Sequence, residues 1–338
     1  MIAEAAALYG DDTPRRSDGT CGWLLEAIMT PTDRRDTALP PPRVEEVSEG
    51  IFGFIQLDGS WGLNNTGFIV GRESVLAIDS CFTERRTRAL LGAIREQAGA
   101  RGVSALVNTH HHGDHTFGNY LFPDSAIIGH SVCRETILRE GLATRGFFSG
   151  VEWGNLVVAP PTVTFDDRMD VWVDELRVEL IFVGPAHTTN DIVAWIPERK
   201  LLFAGDVVFN GGAPFALAGS IAGWIEALDR LRALGAVTII PGHGAICGPA
   251  VLDDITGYLQ LVLDAARRGM AAGVEPLEVA RGLDLGRFAE WLDGERLAAN
   301  LHRAYSELRG EPRGTPLSSQ AVSDLIAFNG GKPPTCLA

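Results

Sequence analysis

The sequence predicts an α/β protein built as two packed sheets with helices on the outside. Two strand-rich stretches, 51–79 and 176–204, carry this reading, and each is followed by a segment of helical periodicity, at 83–99 and 221–234. A third observation is composition: 46% hydrophobic and 21% charged residues over 338 positions suit a soluble globular chain with a sizeable core.

Residues 1–43 mix a short Ala-rich stretch with polar and proline-rich sequence ending in Leu39-Pro40-Pro41-Pro42, which reads as an arm leading to a stiff linker. Trp23, Leu24 and Leu25 in the arm need a partner surface, and together with the helical tail they predict a homodimer or larger assembly. From Val44 the pattern becomes strand-like, with apolar runs at 51–55, 66–70 and 74–79 separated by Gly and Asn turns. The run 103–108 reads as a buried strand ending on a histidine cluster, and a helix is expected to begin with Thr116-Phe117-Gly118-Asn119. Further strands are expected at 176–183, 191–196, 200–204 and 237–240. From 251 to 338 the sequence is mostly helical, so a catalytic domain at 44–250 carries a C-terminal helical extension. No repeat period is present.

Acidic residues outnumber basic ones 43 to 29, and the net charge of −14 repels a phosphate backbone. The most basic short run, Glu84-Arg85-Arg86-Thr87-Arg88, carries its own acid and reads as a solvated helix face, so nucleic acid is not an expected partner. Five widely spaced cysteines without a CxxC pair suggest neither a disulfide framework nor a thiolate metal site. No basic leader and no apolar stretch of membrane-spanning length is found, which predicts a cytoplasmic location without membrane association.

The strongest chemical signal is Thr109-His110-His111-His112-Gly113-Asp114-His115, placed where a strand ends. Alternating His110 and His112 point the same way from an extended segment, and Asp114 and His115 lie just beyond the turn. Imidazole nitrogen and carboxylate oxygen bind zinc at roughly 2.0–2.2 Å, so such crowding suits a site with more than one ion. Three more segments put a ligand-type residue after an apolar strand: Gly184-Pro185-Ala186-His187, Ala204-Gly205-Asp206 and Pro241-Gly242-His243. Together these motifs resemble the metallo-β-lactamase superfamily, whose HxHxDH pattern and later His, Asp and His are matched over residues 44–250. The resemblance implies an αββα sandwich and two zinc ions per chain, with manganese, iron or cobalt as other occupants of such a site. It implies one ion on His110, His112 and His187, the other on Asp114, His115 and His243, and Asp206 bridging. A hydroxide shared by the ions is then the nucleophile, and Asp114 orients it or passes its proton onward. Asp79 matches the family's early aspartate, which orients a metal-bound histidine; by itself it also reads as a strand-end turn residue. His111 faces away from the alternating pair, His130 and His302 have no motif around them, and Asp191 fits a structural hydrogen-bonding role.

A cysteine ligand of the metallo-β-lactamases proper is replaced by Asp206, and the Glu of flavodiiron proteins by His112. The ligand set therefore resembles glyoxalase II and acyl-homoserine lactonases, and also tRNA-processing nucleases, which acidity disfavours. In overall plan the chain is also similar to the hydrolytic chlorothalonil dehalogenases. Phe147, Phe148 and Trp153, with Asn210 and Phe215, are the expected substrate contacts, drawn from segments that are apolar and carry little positive charge. The expected substrate is a small, largely apolar ester, thioester or lactone. Alternatives are loss of chloride from an electron-poor aromatic such as chlorothalonil, and a metal-binding regulatory protein without turnover.

Overall fold

The computed structural model describes residues 41–338 apart from Leu57. The arm with Trp23, Leu24 and Leu25 lies outside the described residues. The first sheet runs, in spatial and chain order, β1 (Arg43–Ser48), β2 (Ile51–Ile55), β3 (Thr66–Val70), β4 (Val75–Ile78), β5 (Val103–Val107), β6 (Ala126–His130) and β7 (Val163–Phe165). Strands β1 to β4 pair antiparallel and β4 to β7 parallel. Parallel neighbours need crossovers, and α1 (Glu84–Ala98) supplies the one between β4 and β5. Two short helices, α2 (Gly113–Thr116) and α3 (Ser131–Glu140), follow β5 and β6.

The second sheet contains β8 (Arg168–Val173), β9 (Leu176–Phe182), β10 (Ile192–Ile196), β11 (Leu201–Asn210) and β12 (Thr238–Gly244), in the order β12-β11-β10-β9-β8. Only β11 and β12 run parallel, and α4 (Ile221–Leu234) crosses between them. Ser220 starts α4 by accepting the Gly223 N–H at 2.9 Å, as Thr83 starts α1 by accepting from Arg86.

Both faces of these strands are covered, and the two-residue period sorts their side chains. In β2, Ile51 and Ile55 join β10 residues Ile192, Ala194 and Ile196 between the sheets, while Phe52 and Phe54 face Leu90 and Ile94 of α1. In β10, Val193 and Trp195 point the other way, toward Trp224 and Leu228 of α4. The result is an αββα sandwich with the main apolar layer between the sheets.

The C-terminal extension consists of α5 (Ala250–Ala272), α6 (Pro276–Gly282), α7 (Arg296–Leu308) and α8 (Gln320–Phe328). Tyr258 and Val262 of α5 and Leu297 and Leu301 of α7 belong to the same apolar cluster as β10 and α4, so the extension shares the sandwich's core. No helix among the described residues is long and apolar enough to cross a membrane. Cys81, Cys133, Cys247 and Cys336 are free thiols.

Three boundaries differ by more than one residue from the sequence reading. Strand β11 continues to Asn210 and β12 to Gly244, because the ladder resumes after a register shift at Gly205. Helix α2 begins at Gly113, three residues before the expected Thr116, so Asp114 and His115 are helical.

Candidate metal centre

The site forms where β5, β11, β12 and the loop after β9 meet. Asp79, at the end of β4, accepts the Thr109 amide and hydroxyl at 2.7 Å each, which fixes the chain as it leaves β5 for His110. Asp79 holds φ +60°, a left-handed conformation that Asp tolerates better than most residues. Beyond His112, helix α2 turns Asp114 and His115 into the cluster. Asp191 shapes the His187 loop by accepting from the Ala186 and Thr188 amides and the Thr188 hydroxyl.

Two glycines make room for Asp206 and His243. Gly205 lies at φ +50°, and a Cβ there would sit 2.6 Å from Thr109 Oγ1; a Cβ on Gly242 would sit 1.9 Å from Asp206 Oδ1. The backbone can therefore bulge at Gly205 and aim Asp206 inward from within β11. Asn65 ties β12 to the first sheet, its Nδ2 donating to the carbonyls of Pro241 and Gly244 at 3.0 and 2.7 Å.

The structure gathers the seven residues into two adjoining groups. His110, His112, His187 and Asp206 each offer an atom within 4.8 Å of the others, and Asp114, His115 and His243 do the same. Asp206 lies between the groups: Oδ2 is 3.3 Å from His187 Nε2 and 3.4 Å from His243 Nε2, while Oδ1 is 3.0 Å from His115 Nε2. Asp114 Oδ2 is 3.3 Å from His243 Nε2.

The outward-facing ring nitrogens have partners. His115 Nδ1 meets Asp79 Oδ2 at 2.8 Å, His187 Nδ1 meets the Phe215 carbonyl at 2.6 Å, and His243 Nδ1 meets the Gly59 carbonyl at 3.0 Å. Each contact leaves Nε2 facing the cluster, the orientation metal-binding histidines adopt. His112 instead presents Nδ1, 2.8 Å from His187 Nε2.

Burial and charge divide the histidines. Burial keeps His110 and His112 well below their ordinary pKa and brings His187 down to about 4. Burial also opposes the charge on His115 and His243. There, however, the carboxylates win: Asp206, Asp79 and Asp114 raise His115 well above its usual value, and Asp206 with Asp114 raises His243 to about 9. His110 Nε2 is buried without a hydrogen-bond partner, and His115 Nε2 and Asp206 Oδ1, though 3.0 Å apart, are buried and face each other without hydrogen-bond geometry. Unpaired buried groups of this kind are costly, and a cation among them would satisfy all three.

The family model described as the metallo-beta-lactamase superfamily matches residues 59–243, more than half of the chain. The chain belongs to the metallo-beta-lactamase superfamily. Similar proteins include the 2,4-dinitroanisole O-demethylase subunit alpha of Nocardioides sp. strain JS1661, 27% identical over 60% of this chain and 55% of that one. The hydroxyacylglutathione hydrolase of Rhodospirillum rubrum is 31% identical over 41% of this chain and 46% of that one. The chain thus spans about half the length of these two relatives. Among solved structures, a metallo-beta-lactamase from Pontibacter korlensis superposes with a TM-score of 0.56 at 20% identity, over 65% of this chain and 99% of that one. That likeness is one of fold.

Beside the superfamily's cluster lies a cavity of about 70 Å³ with room for a few waters. Phe147, Phe148 and Phe215 line it, as do His112, Asp114, His187, Asp206 and His243. Trp153 and Asn210, expected in the wall, are not there. Trp153 stands behind it, edge-on to Phe82 at 4.8 Å, and Asn210 turns away to donate to the Ala245 carbonyl at 2.9 Å.

The wall also contains Trp61, Phe82, Phe209 and Leu217, together with Arg296, Val322 and Leu325 from the C-terminal helices. A positive charge enters the wall from outside the segments expected to form it: Arg296 is 2% exposed and stacks 4.0 Å over the Trp61 ring. It pairs with Asp293 at 2.8 Å and donates to the Ala213 carbonyl at 2.9 Å. Unlike Phe147, Phe148 and Phe215, these scattered residues and an arginine far from any motif give no sequence signal. The remaining histidines stand elsewhere: His111 contacts Asn190 Nδ2 at 2.9 Å, His130 the Asp166 carbonyl at 3.0 Å, and His302 pairs with Asp324 at 2.7 Å.

Proposed function

We propose that this protein is a metal-dependent hydrolase acting on a small, largely apolar ester, thioester or lactone. The observation that carries this is the convergence of seven His and Asp side chains beside an aromatic cavity, five of them lining it. His110, His112 and His187 would hold one divalent ion, Asp114, His115 and His243 a second, with Asp206 reaching both. Zinc suits this donor set. Bound metal supplies Lewis acidity toward the electrophile and acidifies water at the site. Asp114 is the more exposed of the two cluster carboxylates, at 15% against 4% for Asp206, and so is the one able to pass a proton to a leaving group. Trp61, Phe147, Phe148 and Phe215 exclude water and hold the apolar part of the substrate.

A second reading, hydrolytic displacement of chloride or another leaving group from an electron-poor aromatic, is supported by the density of rings around the cavity. Trp61 alone meets Phe147, Phe148 and Phe215 at centroid distances of 5.0–6.1 Å. The similarity to a protein named for 2,4-dinitroanisole points the same way.

The test is a panel of lactones, thioesters, chloroaromatics and nitroaryl ethers incubated with zinc-loaded protein. Acid, chloride and alcohol release are followed separately. Acid from lactone or thioester alone supports the first reading, and chloride or alcohol alone supports the second. No turnover in protein that binds two metals leaves the non-catalytic alternative standing.

A further inference from the structure

We propose that Asn300, in the C-terminal extension, is a positioning residue for His187, acting through the single peptide unit that joins Phe215 to Ala216. The inference rests on the metal-binding reading above.

His187 Nδ1 contacts the Phe215 carbonyl at 2.6 Å, and the N–H of that same peptide, carried by Ala216, donates to Asn300 Oδ1 at 2.8 Å. Asn300 Nδ2 donates to the Pro214 carbonyl at 2.7 Å, so one side chain grips the backbone on both sides of Phe215. Asn300 is completely buried, and bulk water has no access to replace these bonds. A peptide whose N–H is engaged becomes a better acceptor at its carbonyl, because hydrogen bonds in a chain polarise one another by roughly 10–30% each. The Phe215 carbonyl then keeps the proton of the neutral imidazole on Nδ1. Nε2 is left with its lone pair toward Asp206, the tautomer a cation at that position requires.

The rest of α7 reinforces the same stretch. Arg303 donates to the Ala216 and Leu217 carbonyls at 3.3 and 2.6 Å, and Glu307 accepts the Ile221 and Ala222 amides at 2.8 and 3.1 Å. Positions 300, 303 and 307 share one helix face, so α7 holds the 214–222 segment along its length. The other group of ligands has different supports: His115 is held by Asp79 and His243 by the Gly59 carbonyl. Disturbing Asn300 should therefore affect one ion and spare the other.

The experiment titrates metal-free full-length protein with Co2+, following d–d absorption and stoichiometry. The same samples labelled with 15N in the imidazoles report the His187 tautomer by NMR. Wild type should bind two ions and show His187 protonated on Nδ1. Asn300→Leu should weaken one ion by up to about 10-fold, the low end of the range for loss of a ligand's own hydrogen-bond partner because the Phe215 carbonyl itself remains, and mix the His187 tautomers. The second ion should stay within about threefold, and Asn300→Asp, which keeps an oxygen for the Ala216 N–H but loses the donor to the Pro214 carbonyl, should weaken the first ion less than Asn300→Leu does. Asn300→Ala, which adds no bulk, is read instead if circular dichroism shows the Leu variant unfolded. Two ions bound with wild-type affinity in the Leu or Ala variant overturn the inference alone. Equal weakening of both ions, or unfolding of both variants, marks a structural role and also overturns it. A wild-type protein that binds no cobalt overturns the metal-binding reading itself, and this inference with it.

Discussion

The metal cluster and the wall of the cavity beside it are assembled in opposite ways. Four short segments deliver all seven cluster residues, and one of them, 110–115, carries four. The wall is gathered from Trp61, the Phe147-Phe148 turn, the loop at Phe215 and two C-terminal helices. Coordination demands particular atoms at particular spacing, so few sequences satisfy it. A wall demands apolar bulk, which any segment arriving in the right place supplies. Changes in the cluster should therefore act on metal and turnover, and changes in the wall on substrate affinity and stability.

The largest effect is expected at Asp206, whose carboxylate oxygens lie within 3.4 Å of histidine nitrogens of both groups. Asp206→Ala removes a negative charge from between two cation positions, and their repulsion grows. We expect loss of at least one metal and a fall in kcat/KM of roughly 1,000-fold, equivalent to several kcal/mol of lost transition-state stabilisation. His111→Ala is the control, since His111 belongs to neither group: its Nδ1 meets Asn190, and only its ring edge packs against His112, at 4.7 Å between centroids. Elemental analysis alongside kinetics checks both; two retained metals and normal turnover in Asp206→Ala would break the assignment.

The same contrast explains how far the sequence could be read. Helix α4 falls at 221–234 as its periodicity predicts, because Ser220 caps it and its apolar face must cover β10 and β11. Asp206 is legible as a member of the cluster, but the sequence pattern ends its strand at Ala204. A bulge at Gly205 turns one side chain inward without ending the ladder, and Val207, Val208 and Phe209 continue it. Asn300 and Arg296 were invisible. A buried polar residue on an otherwise apolar helix is recognisable only by what it meets, and here that is a loop far away in the chain.

Metal affinity should depend steeply on pH. The carboxylates hold protons on His115 and His243 in the metal-free protein, His243 to about 9, and a cation must displace them. Raised pKa values mean that competition persists to higher pH, so affinity should rise with pH through the neutral range, and the part of that rise due to His243 should fade above about 9. About two protons should be released on metal binding at pH 7, with affinity changing roughly 100-fold per pH unit. Calorimetry in buffers of different ionisation enthalpy measures the number. Release of none would mean that both rings are already neutral, and the cluster's charge balance would need redrawing.

In the wall, Arg296→Met should lower stability by about 3 kcal/mol, because it strands the buried Asp293 carboxylate. Burial has already raised Asp293 to about 6, and without the guanidinium, which holds it down, the group should titrate higher still. Thermal unfolding should show the loss, and Arg296→Met with Asp293→Leu should recover part of it. Metal content should not change. Loss of metal in the single variant would join wall and cluster more closely than the geometry suggests.

The smallest effects separate residues that line the cavity from those that only neighbour it. Phe148 is buried in the wall and meets Trp61 at 5.8 Å, so Phe148→Ala removes apolar surface that a substrate would use. A loss of about 1.4 kcal/mol of contact, within the range for an apolar side chain, corresponds to a tenfold rise in KM with kcat little altered. Asn210 was expected in the same wall, but its amide is turned to the Ala245 carbonyl across the ends of β11 and β12. Asn210→Ala should therefore leave KM within about twofold and cost about 0.5–1 kcal/mol of stability from one lost hydrogen bond. Steady-state kinetics and denaturant unfolding on the two variants resolve the pair. A tenfold rise in KM for Asn210→Ala, with Phe148→Ala unaffected, would move the substrate out of the aromatic cavity and onto the outer end of β11.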